Sequence, residues 1–209
     1  MEQKHEHHER TSYLTYAFSR FVKWGNNWLT LSHWLFKEGA HIFRKIEIMM
    51  LIITAICIGL LFSIHILPHW LGLTISIILV QRIVEFAIVY ARNFIHNKGR
   101  IFTHFENPTR RGEWLLLMFM FNITQIVFIF ALWYRFISLN NPNAFSVPLG
   151  ILDSLYFSAV TFLTIGFGDI VPLGTMPKLL VLFQGMLTFY ILVVVINGLI
   201  SIHFNRRYE

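Results

Sequence analysis

The sequence predicts an all-α membrane protein with four transmembrane helices and a short re-entrant helix between the third and the fourth. Of its 209 residues, 56% are hydrophobic and only 13% are charged, and the mean hydropathy is +0.59. This balance is wrong for a soluble domain and typical of a helical bundle in lipid. A helix that crosses a bilayer needs roughly 20 apolar residues. Four stretches reach that length: Ile46 to Leu67, Trp70 to Tyr90, Trp114 to Ile137 and Lys178 to Phe204.

Residues 1–45 are expected to form a cytoplasmic segment with an amphipathic helix that lies in the membrane interface. Aromatic and aliphatic residues are interleaved there with lysines and arginines. This composition suits a helix whose apolar face lies in the acyl boundary. The basic residues indicate anionic lipids as partners, and no nucleic acid, because they lie beside membrane spans.

Residues 46–91 are expected to form a peripheral transmembrane hairpin, with the break between its two spans at Pro68. The second span carries Arg82 and Glu85, which lie three residues apart and therefore share one helical face. A charge alone at the bilayer centre costs roughly 2.5 to 3.5 kcal/mol, so we expect an intramembrane ion pair. A conventional voltage sensor is rejected, because Glu85 cancels Arg82 when the helix moves as a body and no series of arginines accompanies it.

The distribution of lysine and arginine predicts that both termini are cytoplasmic. These residues are frequent in the N-terminal segment, in the linker 92–113 and in the short tail 205–209. The two opposite connections, His65 to His69 and Ser138 to Pro177, contain none. We therefore expect a multi-pass protein of the plasma membrane, bacterial in view of its compact size. The loop between the third and fourth spans would then enter the membrane from outside.

The run Thr164-Ile165-Gly166-Phe167-Gly168 in that loop predicts a filter that replaces the hydration shell of a potassium ion. Consecutive backbone carbonyls that point inward, from four chains around one axis, supply the oxygens. An ordinary strand alternates its carbonyls between two sides. Turning them all one way requires sparsely allowed conformations at alternate residues, which glycine adopts without steric cost. Gly166 and Gly168 have that spacing.

The stretch from Asp153 to Pro172 resembles the pore loop of the potassium-channel superfamily, most closely that of members with two membrane helices around one loop. The resemblance covers about residues 114–204, which would form the pore domain of a homotetramer, since each chain supplies one loop. Asp153 or Ser154 is a good N-cap for the pore helix. The transported ion would be K⁺, and no cofactor is expected. The resemblance assigns K⁺ coordination to the carbonyls of Thr164, Ile165, Gly166 and Phe167, the outer rim to Gly168, and an acidic ring at the outer mouth to Asp169.

Two residues depart from common patterns of that superfamily. Phe167 stands where many members have tyrosine, and it lacks the hydroxyl that ties the filter backbone to its pore helix. Val160 stands where some members have a glutamate that faces the filter aspartate. Both changes are expected to weaken the scaffold, so we expect a filter prone to gating or inactivation of its own.

The last span carries a stripe of bulky apolar residues at helical spacing: Phe189, Leu192, Ile196 and Ile200. The resemblance turns this stripe toward the pore below the filter, where it would form an inner gate that closes by dewetting. The alternative is that the stripe packs on the third span. Gly185 and Gly198 are candidate hinges, although glycine also serves close helix packing in membranes. The interfacial N-terminal helix is either a plain membrane anchor or a collar coupled to this gate.

These observations predict passive conduction of K⁺ through a selective tetrameric pore. A cation channel of weak selectivity and a non-conducting membrane subunit remain as alternatives. An enzyme or a pump is not expected, because no nucleotide-binding loop and no catalytic cluster is visible. Few residues follow the last span, so control is expected from the membrane, the N-terminal segment, the filter or a separate protein.

Overall fold

The structure is a computed structural model that describes Arg20 and residues 42–64, 69–95 and 108–205. The interfacial helix expected before residue 42 lies outside the described residues, as do most of the basic linker and the tail from 206 to 209. One isolated antiparallel bridge, Phe145 to Pro172, is the β pairing found in the described ranges. The helices are α1 (Ile42–Ser63), α2 (His69–Ile95), α3 (Pro108–Asn140), a 3₁₀ turn (Pro142–Ala144), α4 (Ile151–Phe162) and α5 (Thr175–Asn205).

The long helices coincide with the predicted apolar stretches, but several ends differ. α2 continues to Ile95 and α3 begins at Pro108, so both helices extend into the predicted linker 92–113. Apolar sequence marks the part of a helix that suits lipid, whereas the helix itself ends where its backbone finds a cap or a break. Pro108 suits the first position of a helix, where its missing N–H costs nothing.

Two stretches of the described helices are long and apolar enough to cross a membrane, Leu116–Asn140 in α3 and Thr175–Val194 in α5. They flank the loop that contains α4. Their length and composition indicate a membrane protein. α1 contributes the shorter apolar stretch Glu47–Ser63.

α3 lies at the centre of the molecule, with contacts to every other helix described. The side chains of Ile129, Phe130 and Tyr134 are completely buried. Tyr134 packs edge-on against Phe157 of α4, with ring centroids 4.8 Å apart, and against Phe145 in the loop before α4, at 5.9 Å. This aromatic cluster joins the third span to the re-entrant helix, so the position of α4 is set by α3.

The predicted hairpin is not a closely packed pair of helices. Among the described residues, α1 packs chiefly on α3 rather than on α2. A small apolar cleft lies between the two, lined from α1 by Leu60, from α2 by Leu79 and from α3 by Trp133. The pair is therefore splayed against the third span, which each of its helices contacts separately.

Arg82 and Glu85 form the predicted ion pair, with Nη1 and Oε2 3.0 Å apart and both side chains buried. The guanidinium also donates from Nη2 to Oδ1 of Asn122 and from Nε to Oε1 of Gln125, each at 3.3 Å. Gln125 Nε2 in turn donates to Thr54 Oγ1 at 3.0 Å and to a carbonyl of α1 at 2.8 Å. We call Thr54, Arg82, Glu85, Asn122 and Gln125 the polar clamp, because their bonds join α1, α2 and α3.

Replacing Arg82 by methionine is expected to lower the free energy of unfolding by about 3–5 kcal/mol, because it leaves the buried Glu85 carboxylate without its cation. The double variant Arg82→Met/Glu85→Leu should recover part of that loss, since it removes both charges. Thermal unfolding in detergent measures both effects, with the exposed Thr124→Val as a control. Equal losses in the single and the double variant would contradict a coupled pair.

Candidate functional site

The re-entrant helix α4 begins two residues before the predicted cap. Gly150 is the N-cap, and Asp153 lies at the third helical position, so the assignment of Asp153 or Ser154 as N-cap is wrong. The Asp153 carboxylate instead accepts a hydrogen bond from the Gly150 N–H at 2.9 Å. A β-carbon on residue 150 would lie 2.9 Å from the same carboxylate oxygen, which explains why a glycine stands there. An acidic side chain in the first turn also complements the helix dipole.

The end of α4 leads directly into the predicted filter. The N–H groups of Leu163, Thr164 and Ile165 donate to carbonyls of the last turn, at 2.8, 3.1 and 3.0 Å. The acceptor for Ile165 is the carbonyl of Val160. The first turn of the filter is thus fixed by the backbone of the helix that precedes it. In the described chain, residues 163–169 expose their side chains or backbone.

The backbone of the filter alternates in conformation. Thr164, Gly166 and Gly168 have positive φ angles of 56°, 60° and 79°, and Thr164 is the one non-glycine residue with positive φ in the described ranges. The conformations predicted for the two glycines are confirmed, whereas that of Thr164 was not predicted. A left-handed conformation costs a residue with a β-carbon about 1–2 kcal/mol. Such strain persists only where surrounding structure imposes it, and it clusters at functional sites.

The two filter glycines are required by backbone conformation and not by lack of space within the chain. A β-carbon added at Gly166 or Gly168 would meet no heavy atom within 4 Å. Both have φ in the range that L side chains rarely adopt. A side chain at either position would therefore strain the strand and disturb its alternation.

Tyr156 supports the filter from α4, a role that the sequence analysis missed. Its ring is parallel to that of Phe167, with centroids 6.5 Å apart. Asp169 lies close to the Tyr156 hydroxyl, and interaction with that carboxylate, chiefly through hydrogen bonding, raises the pKa of the phenol. The scaffold of the filter was expected to be weak because of Phe167 and Val160. The Tyr156 side chain, however, contacts both Phe167 and Asp169. The signal in the sequence was a tyrosine one helical turn before Val160 on the same face.

A second support lies behind α4. Tyr134 of α3 donates to Gln184 Oε1 of α5 at 2.7 Å, and Gln184 Nε2 donates to the Ser158 carbonyl of α4 at 2.9 Å. Ser158 Oγ donates to the Val127 carbonyl of α3 at 2.8 Å. All three polar side chains are completely buried. We call Tyr134, Ser158 and Gln184 the rear triad; it joins the three helices that surround the loop.

The connections on either side of α4 and the filter are tied together. Ser146 and Val171 share two hydrogen bonds, each 2.9 Å long: the Ser146 N–H donates to the Val171 carbonyl, and the Val171 N–H donates to Ser146 Oγ. Ala144 accepts at its carbonyl from Leu173 at 2.8 Å. The loop that enters α4 thereby closes on the segment that leaves the filter. Pro172 lies in this closure, three residues before α5 begins.

Two residues of the predicted gate stripe lie outside the core of the chain. Phe189 is 68% exposed and Leu192 is 54% exposed, whereas Leu187 and Ile191 are buried. Within one chain, Phe189 and Leu192 are therefore largely uncovered by α3, and their role in a gate stays a prediction. The side chains of Ile196 and Ile200 and the surroundings of Gly198 lie outside the described part of the chain.

The candidate hinge Gly185 lies within α5, which runs without interruption from Thr175 to Asn205. A β-carbon at Gly185 would meet no heavy atom within 4 Å. Close packing within the chain therefore does not explain this glycine, and its role as a hinge stays a prediction.

The part of the chain that holds these features is similar to a known protein family. Residues 116–205 match a family model described as ion channel. This stretch, somewhat under half of the chain, is therefore similar to ion channel domains. The match begins in α3 and covers the loop, α4, the filter and α5, while α1 and α2 precede it. No curated protein and no solved structure is significantly similar to the chain.

Replacing Tyr134 by phenylalanine is expected to lower the free energy of unfolding by about 1–3 kcal/mol, because the buried Gln184 oxygen loses its donor. Thr188→Val is a suitable control, since the Thr188 hydroxyl donates to a carbonyl of its own helix at 3.0 Å. Thermal unfolding in detergent should show the smaller loss for the control. Equal losses would contradict the assignment of the rear triad as an interhelical support.

Proposed function

We propose that the chain is one subunit of a homotetrameric channel that conducts K⁺ passively and selectively. The observation that carries the proposal is the alternation of positive φ at Thr164, Gly166 and Gly168, within the region that matches the ion channel family. This alternation is the backbone condition for consecutive carbonyls to face one axis. Carbonyls of Thr164 to Phe167 would replace the water of the ion in successive layers.

The electrostatics around the filter favour a cation. α4 ends at Phe162, immediately before the filter, and the C-terminus of a helix carries about half a negative charge. Asp169 is exposed at the other end of the filter, where four copies would form an acidic ring. Both ends of the pathway would therefore attract K⁺. No further cofactor is part of the proposal.

The exposed apolar surface of one chain supports the tetramer. Ile165 and Phe167 in the filter are 50% and 68% exposed, and Met186 and Phe189 on α5 are 73% and 68% exposed. Each chain supplies one filter strand, and the coordination shell needs four. In a tetramer Ile165, Phe167 and Met186 would pack on neighbouring copies, and the stripe that begins with Phe189 and Leu192 would line the inner pore as a gate.

In this proposal α1, α2, α3 and α5 cross the plasma membrane, with both termini in the cytoplasm. Lysines and arginines near the inner ends would contact anionic lipids. The polar clamp then lies within the membrane as a neutralised pair rather than a voltage sensor. A weakly selective cation channel is the second candidate, favoured by one observation: Val160 gives α4 no carboxyl group beside the filter.

Purified protein in planar bilayers tests the proposal directly. With a tenfold K⁺ gradient opposed by Na⁺, the reversal potential should shift toward that of K⁺, roughly 59 mV for a univalent ion. Gly166→Ala should abolish the current, because alanine strains the filter backbone. Gly59→Ala is the matched control, since Gly59 lies in α1 with no heavy atom within 4 Å of an added β-carbon.

A reversal near zero with a large current would favour the weakly selective channel. No current from wild-type protein would favour a non-conducting subunit. Chemical cross-linking that stops at a dimer would contradict the tetramer.

Replacing Tyr156 by phenylalanine keeps the ring beside Phe167 and removes the hydroxyl that lies close to Asp169. We expect current to decline faster during sustained opening, by roughly twofold or more, because an exposed hydrogen bond contributes modestly. Single-channel conductance should change little. Recordings of current decay compare this variant with Tyr156→Leu, which loses both contacts and should decline faster still. Equal decay in wild type and Tyr156→Phe would refute the role of the hydroxyl.

A further inference from the structure

The helices α1 and α2 precede the matched ion channel region, and the sequence assigns them no role. They nevertheless make specific polar contacts with both long helices of the pore domain. The polar clamp joins them to α3, and a hydrogen bond joins α2 to α5. The two connections differ in what would be needed to break them.

The polar clamp resists sliding. Arg82 donates to groups on α2 and α3, and Gln125 of α3 donates to Thr54 and to the Met50 carbonyl of α1. Glu85 and Gln125 are each 2% exposed. In lipid no water replaces a lost partner, so displacement of α2 along α3 would leave several polar groups unpaired at once. α1, α2 and α3 therefore behave as one unit.

The contact with α5 is different in kind. Tyr190 Oη donates to the backbone carbonyl of Ala87 in α2 at 2.6 Å. Ala87 lies two residues after Glu85, so the acceptor is held next to the clamp. Tyr190 directly follows Phe189, the first residue of the gate stripe. A bend or rotation of α5 that moves Phe189 must also move Tyr190 relative to Ala87.

We propose that α1 and α2 form a gating element of the channel. The clamp fixes them to α3, and the bond from Tyr190 to Ala87, here called the latch, holds α5 in one of the two positions between which it moves. Tyr190 is then a positioning residue, which acts on the gate through the helix that carries both. The inference rests on the proposed channel function.

The test is the open probability of single channels in bilayers for wild type and Tyr190→Phe. Phenylalanine keeps the ring and removes the donor. The expected change is roughly 2- to 12-fold, the range that the loss of one hydrogen bond gives, with an unchanged reversal potential. Thr124→Val is the control, because its exposed hydroxyl donates to a carbonyl of its own helix at 3.0 Å and should leave gating unchanged.

A residue that only stabilised the fold would lower the unfolding temperature and leave the open probability of the remaining channels as it was. An unchanged open probability in Tyr190→Phe therefore overturns the proposal. A shifted reversal potential also overturns it, since it would place the effect at the filter.

The clamp is tested by a double-mutant cycle. Asn122→Ala removes one partner of Arg82 and leaves Glu85 and Gln125 in place. If the latch acts through the clamp, Tyr190→Phe should change the open probability less in the Asn122→Ala background than in wild type. Equal changes in the two backgrounds would refute the part assigned to the clamp.

Deuterium exchange separates this inference from the proposed function. Without the latch, peptides that cover α5 around residue 190 should exchange faster in Tyr190→Phe, and not in Thr124→Val. A wild-type protein without current would contradict the channel function. Unchanged exchange would refute the latch, whether or not the protein conducts.

Discussion

The structure depends on a strand that cannot hold its own shape. From Thr164 to Gly168 every second residue has positive φ, so the strand cannot pair as an ordinary β-strand does. Among the described residues, no backbone N–H donates to the carbonyls of residues 164–167. A strand of this kind keeps its shape only when other elements impose it. The helices and side chains around this strand supply that constraint.

The strand is held in this conformation by the backbone of α4 and by the side chain of Tyr156. Ile165 is bonded to the last turn of α4, and Tyr156 contacts both Phe167 and Asp169. α4 itself is fixed to α3 and α5 by the rear triad. Each buried polar group of the triad has a partner on another helix. Hydrogen bonds of this kind are stronger in an apolar surrounding than in water. The polar clamp applies the same principle to α1 and α2.

Much of this could be predicted from the sequence, because it rests on local rules. Apolar length placed the long helices, the spacing of two glycines gave the backbone of the filter, and a separation of three residues gave the ion pair of Arg82 and Glu85. The features that were missed depend on distant residues. Tyr156 lies close to Asp169. Gln184 bonds to Tyr134, which lies 50 positions away in the sequence. No spacing within one helix predicts such contacts without knowledge of how the helices pack.

The prediction of the N-cap of α4 was wrong for a related reason. Asp153 is a favourable N-cap by residue type. The two residues before it, Ile151 and Leu152, do not by themselves indicate whether they belong to the loop or to the helix. In the structure the N-cap is Gly150, whose N–H donates to the Asp153 side chain. The N–H of the residue before it donates to Ser138 Oγ of α3. The tertiary contact at Leu149 fixes where the loop ends and thus where the helix begins. Propensity alone gives the set of candidate caps, and packing selects among them.

One residue of α5 is anchored to other helices and the residues beyond it are more exposed, which indicates how the pore would open. Gln184 anchors α5 to α3 and α4, and Gly185 follows it with open space where a side chain would lie. Beyond that point Phe189 and Leu192 are exposed, while Tyr190 reaches α2. A helix held at one residue bends most readily just past the anchor, at a residue whose backbone is least restricted. The anchor would therefore protect the filter from the movement of the gate, and the latch would meet that movement where it is larger.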